Sequence, residues 1–180
     1  SGQQAPAQPS TKPVKAPSGS VDLASFLTGE PKLFYGGAEL TKDEEGNYTI
    51  HPDTPYKLHL GFQETPAEGS TPGNQFPIDG TTEMVFQLPE KMQAFPIEKP
   101  IEFSIEAPSG TVPGNKYWVK DNQIHVIVAK DDALKASSQT SFFVSLDVKF
   151  AKDAENIDLN DGVHMKVKIS NNPDLTITKS

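Results

Sequence analysis

The sequence predicts an all-β protein, an antiparallel β-sandwich with long loops and little helix. Three observations carry that reading. Apolar and polar side chains alternate in five separate segments, the period of a strand with one buried face. Clusters of Gly, Pro, Asn and Asp separate those segments at short intervals. Only two short stretches have helical character. The chain has 180 residues, enough for one large domain or two small ones. Leu, Ile, Val and Phe supply 42 of them, more than the composition that leaves a chain disordered.

Residues 1–19 contain almost no large apolar side chain and are rich in Pro, Gln, Ala and Ser. They cannot bury enough surface to offset the entropy of ordering, so they read as a flexible linker. Residues 20–180 read as one sandwich domain, because no second shift of composition occurs within them. Near its start Asp22 can cap a short helical turn through Phe26 and Leu27, ended by Gly29. Weak strands follow at Leu33–Tyr35, Glu39–Thr41 and Tyr48–His51, with the turn Asp43-Glu44-Glu45-Gly46 joining the last two. Pro55–Gln63 alternates strongly, with Tyr56, Leu58, Leu60 and Phe62 in one register. Thr82–Leu88 is weaker. Ile101–Ala107 sets Ile101, Phe103 and Ile105 against Glu102, Ser104 and Glu106.

Tyr117–Lys120 then turns through Asp121 and Asn122 into Gln123–Lys130, whose register is Ile124, Val126 and Val128. Asp131–Ser137 suggests a helical turn. Thr140–Ala151 carries Phe142, Val144, Leu146, Val148 and Phe150, and Val163–Ser170 carries Val163, Met165, Val167 and Ile169. Asn171-Asn172-Pro173-Asp174 leads to a last short strand at Leu175–Thr178. Loops are expected over 64–80, 89–99 and 108–114.

The composition excludes several functions. There is no cysteine, which removes disulfides, thiolate metal sites and thiol catalysis. All 16 basic residues are lysine and the net charge is −8. Phosphate neutralisation and guanine reading favour clustered basic side chains, so no nucleic-acid partner is expected. No apolar run approaches the roughly 20 residues of a membrane span, so no membrane insertion is expected. With no leader sequence, and Ser1-Gly2 at the start, the chain reads as an excised or mature fragment.

Catalytic chemistry finds little support. No nucleophile elbow appears, and Gly36-Gly37 precedes no helix that could hold a phosphate. Glu102 and Glu106 are a pair of the kind that 24 acidic residues produce by chance. His51, His59, His125 and His164 lie singly on different strands and read as solvent-facing. The acidic stretch Asp153–Asp161 has oxygens suited to calcium but not the spacing of an EF-hand, so it reads as a solvated acidic loop or a calcium loop. The expectation is a non-enzymatic protein without cofactor or assigned metal.

A different signal comes from apolar side chains in the wrong phase. Trp118, Phe143, Ile127 and Val85 point away from the core registers of their strands. Several such residues on one outer face would make a ligand surface, or a patch covered by long loops or a neighbouring domain. These four are the candidate binding residues.

The C-terminal stretch VHMKVKISNNPDLTITKS resembles the end of the first A-region domain of Gram-positive collagen-adhesin-type surface proteins. DLASFLTG followed by TIHPDTPYKLHLGFQE resembles its opening, and MVFQLPEKM, IHVIVAKDDALK and SFFVSLDVKF follow in the same order. The likeness covers about residues 21–180. It implies an immunoglobulin-like sandwich of the DE-variant type, extracellular and anchored to a cell wall through a segment outside this fragment. It also implies binding of an extracellular matrix protein or other macromolecule together with an adjacent Ig-like domain of the same chain, without enzymatic activity. Many domains of that kind carry a Lys–Asn isopeptide cross-link. Here Lys57 and Lys166 are out of phase with the core and Asn171 and Asn172 lie in a turn, so none is expected. The alternatives are a carbohydrate-binding module or a pilus or stalk structural sandwich, and then an accessory domain of a secreted hydrolase.

Overall fold

In a computed structural model, the structure describes residues 19–160 and 162–171. The expected linker over 1–19, apart from Gly19, and the expected strand at Leu175–Thr178 lie outside the described residues. Among the described residues strand takes 57% and helix 6%, so this part of the chain is nearly all β, as the alternation predicts.

In chain order the strands are β1 (Val21–Asp22), β2 (Leu27–Tyr35), β3 (Ala38–Glu39), β4 (Asn47–Ile50), β5 (Tyr56–Gln63), β6 (Met84–Gln87) and β7 (Met92–Ala94). They continue with β8 (Ile97–Ala107), β9 (Gly110–Lys120), β10 (Gln123–Ile127), β11 (Ser141–Phe150), β12 (Asn156–Asn160) and β13 (Val163–Ile169). A 3-10 helix covers Leu23–Phe26 and α1 covers Asp132–Ala136. The first sheet runs β1-β6-β10-β9-β8 and the second β3-β2-β5-β11-β7; a small third sheet runs β12-β13-β4.

The registers read from the sequence build the core between the first two sheets. Leu58, Leu60 and Phe62 of β5 pair with Leu146, Val144 and Phe142 of β11, and all six are buried. Phe62 meets Phe86 across the sandwich at 5.8 Å between ring centroids, and Phe142 meets Phe103 at 5.5 Å. Burying each such ring is worth about 2–3 kcal/mol, the main stabilisation available to a chain without cysteine.

Local chemistry fixes the connections. Asp22 caps the 3-10 helix by accepting the Ala24 N–H at 2.9 Å. Asp121 and Asn122 take φ of 55° and 61°, the left-handed pair of a two-residue hairpin turn whose twist matches the flanking strands. The Asn122 side chain also accepts the Ala94 N–H at 2.7 Å and donates to the Met92 carbonyl at 3.0 Å. A hairpin tip of the first sheet thereby holds the edge strand of the second. Glu64 is buried at the end of β5, where its two oxygens accept the N–H groups of Phe76 and Thr140, each at 2.9 Å. It ties the loop over 64–80 to the start of β11, and burial pushes its carboxyl above the usual range.

Several expectations need correction. Two pairings are parallel, β1 with β6 and β13 with β4. The segment 108–114 is not a loop: β8 and β9 form a long hairpin closed at Pro108-Ser109, and β7 lies within 89–99. Most of the acidic stretch 153–160 is strand β12, whose Ile157 and Leu159 are buried. Alternation over only three apolar-polar steps was outweighed by the run of acids around it. Ile101 was placed in the core register but is 40% exposed, because β8 is an edge strand whose pairing slips between Ile97 and Ile101.

Candidate functional site

The two large sheets have outer faces that differ in how far side chains cover them. On the first sheet, Val85, His125 and Trp118 stand in one cross-strand row, since His125 is in register with both others. The rings of Trp118 and His125 are nearly parallel, 6° apart with centroids at 5.3 Å. Glu83 takes His125 Nδ1 from the side. Val85, expected to be a surface residue, is 1% exposed: Asp22 of β1 flanks it on one side and His125 on the other. Ile127, in register with Lys116, is half-buried. Trp118 is half-buried as well and borders a cleft of about 480 Å³ with Pro96, Ile97 and Glu98.

Phe143 lies on the other sheet, on β11. The four candidate residues therefore do not form one surface. Periodicity places a side chain outside its own sheet, but it does not say which sheet. At 59% exposure Phe143 is the most exposed large apolar side chain among the described residues.

The surroundings of Phe143 are ordered. Its register partner on β5 is Gly61, and a Cβ there would come within 3.1 Å of the phenyl ring. The ring therefore lies close against the strand, and a Cβ at this position would press on it and on the Thr28 carbonyl oxygen, 3.3 Å away. It stacks on His59, with centroids 4.8 Å apart and planes at 25°. Phe34 of β2 meets the other side of His59 edge-on at 6.2 Å. Ser145 is directly opposite His59, and its hydroxyl lies 3.2 Å from His59 Nδ1. Burial, with Lys32 next in effect, lowers the His59 pKa, so the imidazole is neutral at pH 7.

Beside this stack runs a groove of about 600 Å³, lined by Phe34, Pro55, Lys57, His59, Ser145 and Asp147 among others. Lys57 and Asp147 form an ion pair at 3.3 Å across the strands, each about half exposed. At the far edge of the same sheet Phe95 is 40% exposed beneath the Lys149 ammonium, 5.7 Å from its centroid.

His59 and Ser145 were not among the candidates from the sequence, and His59 had been read as simply solvent-facing. One signal was present. Gly61 interrupts the most regular strand of the chain, and glycine inside a strand marks a close approach. His125 is likewise not free in solvent, with only 12% of its side chain exposed.

Among the described residues no three His, Asp or Glu side chains are grouped to hold a metal ion. Asp153 is engaged by Lys91 at 2.8 Å, and Asp158 accepts the Asn160 N–H at 2.9 Å. The lysines considered for a cross-link face outward: Lys57 pairs with Asp147, and Lys166 donates to the Glu45 carbonyl at 2.9 Å. No described helix is long and apolar enough to cross a membrane. Comparison of the chain with protein families, with curated proteins and with solved structures finds no match.

Proposed function

We propose that this chain is a non-enzymatic adhesin module of a cell-surface protein, with an immunoglobulin-like sandwich, that binds an extracellular matrix protein or other macromolecule. The observation that supports the reading is the outer face of the second sheet, where Phe143 stands exposed yet fixed over Gly61 and His59. A ring already held in place loses little freedom on binding, which is what makes an aromatic an anchor. The resemblance to collagen-adhesin-type domains supports the surface location and an adjacent domain of the same chain as a second partner. In this proposal Trp118, Ile127 and Val85 serve the fold, and Phe143 serves the ligand.

Surface plasmon resonance against immobilised collagen, fibronectin, fibrinogen and laminin tests it. At least one should bind saturably, and Phe143→Ala should weaken that binding at least tenfold, about 1.4 kcal/mol. Absence of binding across the panel, or equal binding by Phe143→Ala, would overturn the reading.

A further inference from the structure

We infer that the free edge of β8 is a separate binding site, which takes an extended peptide segment as an added strand, its side chains alternating apolar and basic. The inference does not rest on the face around Phe143, which belongs to the other sheet.

β8 borders the first sheet and pairs on one side only, with β9. Its two halves differ. From Ile97 to Ile101 it advances four residues while β9 advances two, from Val119 to Tyr117, so Glu98-Lys99-Pro100 bulge. A bulge, a lysine and a proline are the devices that keep an edge from pairing. From Ile101 to Ala107 β8 has none of them. The shift between Phe103 and Ile105 puts the extra residue on β9, between Asn115 and Val112, so β8 itself keeps its period of two.

The direction of the backbone follows. The hairpin closes through the two-residue loop Pro108-Ser109, which makes Ala107 and Gly110 a hydrogen-bonded pair. Two and four residues back, Ile105 and Phe103 also turn their backbone groups toward β9. The Asn115 amide donates to the Phe103 carbonyl at 3.1 Å from that side. The N–H and C=O groups of Glu102, Ser104 and Glu106 therefore point to the open edge. A row of unpaired backbone groups at this spacing is matched by another extended backbone.

The side chains select the sequence of that strand. On the inner face Ile101 is 40% exposed and Phe103 half-buried, so apolar neighbours would cover them. On the outer face Glu102, Ser104 and Glu106 are exposed, and the Thr111 hydroxyl donates to the Glu106 carboxylate at 2.9 Å. Side chains directly opposite on an added strand come within about 5 Å, where a carboxylate favours a cation. Lys116 and Lys120 share this face from β9, two strand spacings from the added strand, about 10 Å and so a Debye length away. Lys99 lies beyond Pro100. A second copy of β8 would bring its own Glu102 and Glu106 to the same face, and the net charge of −8 likewise favours a basic partner.

The experiment is an amide chemical-shift titration of the full chain with the peptide VKVKVKV, beside KKVVKVV, of equal composition without alternation, and VEVEVEV. VKVKVKV should give saturable shifts centred on Glu102, Ser104 and Glu106 and slow the exchange of those amides. KKVVKVV should bind at least tenfold more weakly. Ser104→Pro, which removes an outward N–H and no bond to β9, should weaken VKVKVKV at least tenfold. Glu102→Lys with Glu106→Lys leaves the backbone intact and should reverse the preference toward VEVEVEV. No response to VKVKVKV would overturn the assignment. Shifts centred on another surface, equal binding of the two lysine peptides, or an unreversed preference in the charge-swapped variant would do the same. Concentration-dependent shifts at these amides without peptide would give the edge to a second copy and overturn it too.

Discussion

Each outer face of this sandwich carries a histidine stacked on an aromatic ring, and the two stacks have opposite fates. On the first sheet Trp118 and His125 are direct register partners, and Val85 continues the row on the far side. Directly opposed side chains on a sheet are the closest pairs, so large ones cover each other and whatever lies beside them. On the second sheet Phe143 and His59 are diagonal neighbours, because the position opposite Phe143 is Gly61. The diagonal stack fixes the ring without covering it. The comparison teaches that a closed and an open aromatic pair differ here by one glycine in register.

The largest expected effect tests the closed side. Trp118→Ala removes the cover of His125 and should cost about 2 kcal/mol, roughly half the value for a fully buried aromatic. For a domain of this size the melting temperature would fall by about 4–8 °C. Phe143→Ala should change stability by less than about 0.5 kcal/mol, as exposed substitutions do. Thermal unfolding of the two variants side by side measures the contrast, and equal losses would abolish it.

A smaller change would sharpen it. Gly61→Val places a branched side chain where the Phe143 ring now lies. Strand propensity favours Val over Gly by up to about 1 kcal/mol, which offsets the displacement, so global stability should stay within about 1 kcal/mol. The ring should nevertheless leave His59, and the His59 proton resonances should lose their upfield ring-current shift. Retention of that shift would show that the stack does not depend on the glycine.

The smallest effect is one of pH. Burial holds the His59 pKa below the ordinary imidazole value of about 6.5. A base that resists protonation in the fold contributes stability above its unfolded pKa, and that stability is lost as pH falls through 6.5 towards the folded value. Glu64 acts in the other direction: its carboxyl is pushed up by burial, so its contribution is present at low pH and is lost as pH rises. The His59 share is isolated by urea unfolding of wild type against His59→Gln between pH 7.5 and 5.5. Wild type should lose the more stability of the two on acidification, and parallel curves would show that folding leaves the His59 pKa unshifted.

Much of this was legible in the chain. Alternation in Tyr56–Gln63 and Ser141–Phe150 named the core registers, because period two follows from the covalent geometry of an extended backbone whatever surrounds it. Asp121-Asn122 and Asp22 announced their turn and cap through interactions confined to a few residues. The sandwich class rests on such local signals. Which strands share a sheet, which residue stands opposite which, and what covers an outward side chain depend on contacts between distant segments. Val85 and Phe143 look alike in the sequence, both apolar and both out of phase. Only the tertiary structure buries one between Asp22 and His125 and leaves the other open above Gly61, since register and sheet order are set by long-range packing that no local pattern encodes.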